Sequence, residues 1–281
     1  MTATRAASDL DALRPDCGSC FALCCTAFGF SRSEDFAIDK PAGSACRNLE
    51  TDFSCGIHEG LRARGFRGCT VFDCFGAGQA VSQRVFSGVS WSERPETQRE
   101  MFSAFKIMRQ LHEMLWYLAE ARTRTFDPDA ADEARKLTSA IYALTGGNLD
   151  ALLSADTGAL HSAVRRTLMD ISEELRASYG ASGGHLDRNL KPGADLIGQN
   201  LRSRSLCGAD LRGAYLIAAD LRRSDLTAVD LLGADLRDAR VDGADLSEAL
   251  YVTQSQINAA RGSADTRVPQ RILVPPHWRG Q

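Results

Sequence analysis

The chain has 281 residues, of which 44% are hydrophobic and 25% charged, with a formal net charge of −3. That composition supplies a packed core and, at roughly 150 residues per domain, two domains or slightly more. It excludes a disordered chain and an overall basic nucleic-acid binder. No apolar run approaches the ~20 residues that cross a bilayer, and residues 1–16 hold no apolar secretory core. The expectation is a cytoplasmic protein with no membrane partner.

Nine cysteines are present, and eight of them lie between Cys17 and Cys74; the ninth is Cys207. Cytoplasmic thiols stay reduced, so a cluster of this kind reads as metal ligands or redox groups rather than disulfides. The candidate ligands are Cys17, Cys20, Cys24, Cys25, Cys46, Cys55, Cys69 and Cys74. A Cys17-Gly-Ser-Cys20 turn aims two thiolates at one ion, and four thiolates close a tetrahedral zinc site with Zn–S near ~2.3 Å. The same donors hold iron or an iron–sulfur cluster. Zinc is the first expectation, and eight thiols serve two such sites or one site plus spare redox cysteines. His58 stands at C-x2-H spacing from Cys55, but reads as a partly exposed polar residue. The run Cys17-x2-Cys20-x3-Cys24-Cys25, then Cys46-Arg-Asn-Leu49, Cys55-Gly-Ile-His58-Glu59 and Arg67-Gly68-Cys69 resembles the bacterial YkgJ-type zinc- or iron-chelating domain over residues 14–76. It departs in an extra residue before Cys24-Cys25 and in Gly65-Phe66-Arg67-Gly68 where the family has Arg-Pro. Residues 1–90 are therefore expected to form a Cys-rich metal-binding module.

Residues 91–182 carry no cysteine and read as helices. Phe102, Phe105, Met108, Leu111, Leu115 and Leu118 recur at three- and four-residue steps on one helical face, with Pro95 suited to a first turn. A second helix is predicted over 129–144, stopped by Gly146-Gly147, and Asn148 caps a short helix through Leu153. A fourth covers 158–179, with Leu160, Val164, Leu168, Ile171 and Leu175 on one face. His112 and His161 sit within these helices without a visible partner and read as structural or surface residues. Ala181-Ser182-Gly183-Gly184 reads as a flexible joint.

From Gly193 onward leucine recurs every five residues, at Leu196, Leu201, Leu206, Leu211, Leu216, Leu221, Leu226, Leu231, Leu236 and Leu246, with Val241 in register: eleven positions in all. Alanine stands two residues earlier in many repeats and aspartate one residue earlier. A period of five is neither helical nor strand-like and points to stacked repeats, each buried only against its neighbours. The Ala-Asp-Leu-x-x pattern resembles the pentapeptide-repeat proteins. That resemblance implies a right-handed quadrilateral β-helix of about four repeats per coil over 183–252, leucines on the axis and alanines at the inner corners. The fold expectation is thus mixed α and β. Residues 253–281 read as an end cap: Thr253 N-caps a helix from Gln254 to Ala260, ended by Arg261-Gly262, and Trp278 packs.

Three functions follow. The first is a binding or scaffold protein with a protein partner and a structural metal module, able to homodimerise through an uncapped end of the stack. The second is a metal- or thiol-dependent redox enzyme or sensor centred on the cysteines, although no catalytic triad, H-E-x-x-H or Walker motif accompanies them. The third, implied by the pentapeptide-repeat resemblance, is a DNA mimic acting on DNA gyrase. Ten acidic residues against seven arginines between Gly193 and Leu250 argue against the third, and Gly76-Ala-Gly78 reads as a turn.

Overall fold

The computed structural model describes residues 10–180 and 189–279, so the Ala181–Gly184 joint lies outside the described residues. Its regular elements are helices: α1 (Leu23–Ala27), α2 (Arg67–Val71), α3 (Ala77–Gln79, running on as a π turn over Ala80–Val85), α4 (Gln98–Arg124), α5 (Pro128–Thr145), α6 (Leu149–Leu153), α7 (Thr157–Gly180) and α8 (Gln254–Ala259). The chain divides into two units, Met1–Leu168 and Met169–Gln281, and the division falls inside α7.

In the first unit the expected amphipathic helix is α4. Met101, Phe105, Met108, Leu111 and Leu118 are fully buried along it, so the three- and four-residue spacing read from the sequence is the face that packs on α5 and α6. Pro95 opens a 3-10 turn (Pro95–Thr97) ahead of α4, because the ring fixes φ and removes an N–H that has no helical acceptor there. α5 begins one residue before expectation, with Pro128 at N1 and the Asp127 side chain accepting from Asp129 N at 2.9 Å. Asn148 caps α6 by accepting from Ala151 N at 2.9 Å.

The second unit holds the repeats, and here the β expectation is corrected. Among the described residues there is no β-strand, the chain is mostly helical, and the repeats do not form a quadrilateral β-helix. The backbone gives the reason. Gly193, Gly198, Ser203, Gly208, Gly213, Ala218, Arg223, Ala228, Gly233, Asp238 and Gly243 all have φ between 55° and 72°, one left-handed residue in every repeat. A strand needs several extended residues in succession. Five-residue turns leave only single-residue parallel bridges, such as Asp195↔Tyr215, Asn200↔Asp220 and Asp230↔Leu250.

Those bridges link residues twenty apart, and the amides follow: Leu196 N donates to Tyr215 O at 2.9 Å and Tyr215 N to Ala194 O at 2.9 Å. Inside the stacked turns Leu206, Leu211, Leu216, Leu221, Leu226 and Leu231 are fully buried, and Ala209, Ala214 and Ala219 with them. The aspartates do a different job from the one their charge implies. Asp195, Asp210, Asp220, Asp225, Asp230, Asp235 and Asp245 each accept the amide of the residue two further on through Oδ1, at 2.9–3.4 Å, which holds the turn shut.

The C-terminal segment packs on the last repeats. Thr253 and Gln256 form a capping box, and Gln256 Nε2 donates to Leu231 O and Ala234 O at 2.8 and 2.9 Å, satisfying carbonyls at the end of the stack. Arg261 and Arg267 bridge to Arg240 and Asp245. Trp278 is buried against Gly262 and its Nε1 donates to Ala260 O at 3.2 Å. α8 ends at Ala259, one residue before expectation.

The part of α7 beyond Met169 belongs to the same unit and is tied to the repeats by a buried polar chain. Ser172 Oγ donates to the fully buried Asp230 carboxylate; Arg212 Nε lies 3.6 Å from Asp230 and Arg176 lies 3.2 Å from Asp210. Burial pushes the Asp230 carboxyl up to about 6 despite Ser172 and Arg212. Burial also works against ionisation of Asp210, but Arg212 and Arg176 outweigh it and hold that carboxyl below its usual range.

Two predictions follow. Leu221→Asp puts an unpaired charge among fully buried side chains and should cost more than about 4 kcal/mol, read as loss of the second unit's thermal transition; an unchanged melting curve contradicts the inward placement. For Asp230 the folded carboxyl titrates above its unfolded value, so its stabilising contribution is complete below about pH 4 and is lost as pH rises through about 6. Asp230→Asn should flatten the stability profile of this unit between pH 4 and 7 and raise stability at pH 7 by about 2–3 kcal/mol, checked by urea titration at both pH values.

Candidate functional site

The eight clustered cysteines are carried on short turns rather than on long elements. Cys17 opens a 3-10 turn (Cys17–Ser19) that Asp16 caps, accepting from Gly18 N at 3.0 Å and from Ser19 Oγ at 2.7 Å. Cys24 and Cys25 lie on α1, which starts after Ala22 in the left-handed region at φ 52°. Cys46 N donates to Cys25 O at 3.1 Å, Leu49 N to Cys46 O at 3.0 Å, and Leu49 bridges antiparallel to Cys55. Cys69 is on α2, and Cys74 precedes two left-handed residues, Phe75 and Gly76, at the entry to α3.

The fold brings these thiols within electrostatic reach of one another. The Cys20 sulfur crowds Gly78, where an added Cβ would stand 2.6 Å from it, and the Cys74 sulfur lies in ordinary contact at 4.0 Å. The Cys24 and Cys25 sulfurs are 3.8 Å apart. The hydrogen bond that the two share raises Cys24 and, with Lys40 nearby, brings Cys25 down to about 7. Burial pushes Cys20 up to about 11 and Cys69 up to about 12, and it also raises Cys17, Cys55 and Cys74. All nine cysteines are free thiols.

Two contributors carry no motif and escaped sequence reading. Lys40 is buried beneath α1, its ammonium donating to Thr26 O at 3.3 Å, Phe28 O at 2.5 Å and Pro41 O at 3.1 Å. Nothing in a lone lysine's neighbours along the chain marks it as buried. His112 was visible as a helical histidine, but its partner was not: Nδ1 donates to Phe75 O at 2.7 Å, clasping the turn that follows Cys74. Its imidazole, pushed down to about 4 mainly by burial, stays neutral. His58 is exposed at the start of a 3-10 turn, and Cys207 lies in the repeats, away from the cluster in sequence. Beside the cluster a cavity of about 610 Å³ is lined by Asp16, Ser19, Gln79, Arg84 and His112, among others.

The donor chemistry suits a soft ion: eight sulfur donors, mostly half-buried, with a cation among them. Among the described residues no group of three or more His, Cys, Asp or Glu side chains is placed to hold a metal ion. No helix among the described residues is long and apolar enough to cross a membrane.

Two comparisons bear on the chain. Residues 193–227 and 214–250 match the pentapeptide repeats, in eight copies. An uncharacterized protein, YybG of Bacillus subtilis (strain 168), is 49% identical over 267 residues, covering 95% of each chain.

Gly78 tests the packing of the cluster. Gly78→Ala should lower the stability of the first unit by about 1–3 kcal/mol, because the methyl meets the Cys20 sulfur. Gly18→Ala, with only an ordinary 3.4 Å contact to Asp16, should change it by less than about 1 kcal/mol. Equal melting shifts in the two variants would contradict the close approach at Gly78.

Proposed function

The chain belongs to the family of the uncharacterized protein YybG of Bacillus subtilis (strain 168), and from that premise we propose that it is a pentapeptide-repeat scaffold protein. In this reading the repeats bind a protein partner and the N-terminal thiols bind zinc, with iron the second choice. The observation that carries it is the division of labour along the repeats. Every leucine position is spent on packing and every Asx turn on the backbone, so what is left to the outside is a regular array of side chains suited to recognition rather than chemistry.

The DNA-gyrase reading loses its footing on the same faces. A mimic of DNA needs a row of free negative charge, whereas Asp210, Asp220 and Asp235 are paired with Arg212, Arg222 and Arg237 two residues on, at 2.5–2.7 Å. Asp238 and Asp245 are paired with Arg261 and Arg267. A redox or sensing centre remains the second reading, supported by the neighbouring Cys24 and Cys25 sulfurs and by Lys40 beside Cys25.

Elemental analysis and an absorption spectrum of anaerobically purified protein separate these readings. The scaffold reading expects about one or two zinc ions per chain and no visible bands. Replacing Cys17 and Cys20 by serine should then lower the zinc content and leave the repeat unit's thermal transition unmoved. Iron with sulfide and visible absorption would bring the redox reading forward. A metal-free wild-type chain would sink metal binding in either form.

A further inference from the structure

We propose that the cavity beside the cysteine module binds a small hydroxyl-bearing organic anion, its negative group paired with Arg84 and its hydroxyl donating to His112 Nε2. None of the described residues that line the cavity is a cysteine, so the inference stands apart from the metal reading above.

The cavity is built within the first unit. Residues 11–16, α3 with its π turn, His112 of α4 and the C-terminal end of α5 line it. Its volume of about 610 Å³ is that of a small-molecule site. Gln79 Nε2 donates to Arg14 O at 2.7 Å, and Gln79 Oε1 accepts from Asp16 N at 3.2 Å. Gln83 Nε2 donates to Ser19 O at 2.9 Å. These bonds tie the N-terminal segment to α3 and the π turn, so the shape of the cavity is set before a ligand arrives. Leu13, His112 and Thr145 are its buried floor, and Asp11, Gln83 and Arg84 are exposed at its mouth. The π turn carries Arg84, and its Phe86 N to Val81 O bond of 3.0 Å widens the helix there, a distortion that concentrates at functional sites.

His112 defines what the floor asks of a ligand. Its Nδ1 meets Phe75 O at 2.7 Å, and a carbonyl only accepts, so Nδ1 carries the proton of the neutral ring and Nε2 is an acceptor. Clasping Phe75 accounts for Nδ1 alone. Nε2 has no hydrogen-bond partner among the described residues. The side chain is only 5% exposed and lines the cavity, so the remaining nitrogen is reached from there. A buried acceptor of this kind calls for an O–H or N–H donor.

The mouth asks for negative charge. Arg14 is paired with Asp11 at 3.3 Å, and both oxygens of Asp16 are taken by Gly18 N and Ser19 Oγ. Arg84 forms no ion pair among the described residues, and it lies close enough for its charge to bear on the imidazole. The same charge favours a neutral hydroxyl over an ammonium as the donor to Nε2. Leu13, Pro15, Ala80 and Tyr142 offer apolar wall to a carbon skeleton. An inorganic anion leaves Nε2 unmet, and a neutral polyol leaves Arg84 unmet. Hydroxycarboxylates and sugar phosphates carry both features in one molecule.

Calorimetric titration of the full chain tests this with malate and ribose 5-phosphate as probes, and with inorganic phosphate and ribose carrying one feature each. Malate or ribose 5-phosphate should bind at least about tenfold more tightly than either single-feature probe, and the better of the two tells carboxylate from phosphate. Arg84→Gln and His112→Asn should each weaken that probe about tenfold. Asparagine places an N–H near the position of Nδ1, which keeps the Phe75 bond, and removes Nε2. Inorganic phosphate binding as tightly as the organic anions overturns the proposal, as do full affinity in both variants and no binding of either organic probe at about 10 mM. The ¹⁵N resonance of His112 Nε2 in the wild type guards against a variant that fails to fold: it should move as the probe saturates, and an unmoved resonance overturns the role of His112.

Discussion

The repeat part depends on one backbone constraint, a left-handed residue at every fifth position from Gly193 to Gly243. That residue turns the chain before a strand can extend. It also sets the twenty-residue return at which amides meet carbonyls of the next layer. Glycine adopts this conformation freely, and the chain uses it at six of these positions, with Ser203, Ala218, Arg223, Ala228 and Asp238 at the others. A non-glycine residue there carries roughly 1 kcal/mol or more of strain, which the fully buried leucines on either side must outweigh. The layers are therefore mutually dependent: each strained turn is held in place by the apolar side chains and hydrogen bonds of its neighbours.

The same constraint decides what charge can do on this surface. A tight turn leaves an amide unpaired, and the aspartate side chain is the right length to accept it. Arginine two residues later then lies over the same carboxylate, as at Asp210–Arg212 and Asp220–Arg222. Acidity in this sequence is thus a by-product of turn chemistry, largely neutralised in place, and a count of acidic residues overstates the free negative field. Asp230 is used differently: its carboxylate points to Ser172 and is fully buried. It converts one of the repeat's ordinary turn aspartates into an anchor for the C-terminal part of α7.

Much of this was legible in the sequence, for reasons that differ by region. α4, α5, α6 and α7 were readable to within a residue or a few because apolar periodicity and capping residues such as Asn148 act locally. The repeats were readable as repeats because five-residue self-similarity needs no tertiary knowledge. Their strandless backbone was not. Strand content depends on φ at Ser203 or Ala218, and nothing about serine or alanine as a residue type announces a left-handed turn; only the register with Gly198, Gly208 and Gly213 does. In the cysteine module the thiols were visible and their neighbours were not. Lys40 and His112 act through carbonyls of Phe28 and Phe75, contacts that exist only once the chain has folded.

The cysteine module is poor in buried apolar surface. Between Asp16 and Phe75 no helix exceeds five residues, and the fully or nearly buried apolar residues are few, Leu23, Ala27, Leu61, Phe66 and Phe75 among them. A segment of about sixty residues built from turns does not bury enough apolar surface to hold itself together. Part of the deficit is met by docking on α4, through Phe28 against Phe105 at 5.6 Å and through the His112 clasp, and part by the Phe21–Phe53–Trp91–Phe102 ring cluster. Those contacts fix the two ends of the module near Phe21 and Phe75. The stretch that carries Cys46, Cys55 and Cys69 joins them through Phe53 in that cluster, Phe30 stacked on Phe36 and edge-on to Phe66, two isolated bridges and the buried Lys40. Under the proposed function, an ion bound by the thiols would cross-link this segment of turns without requiring an oxidising compartment. In that reading the stability of the module would rise with whatever its thiols bind.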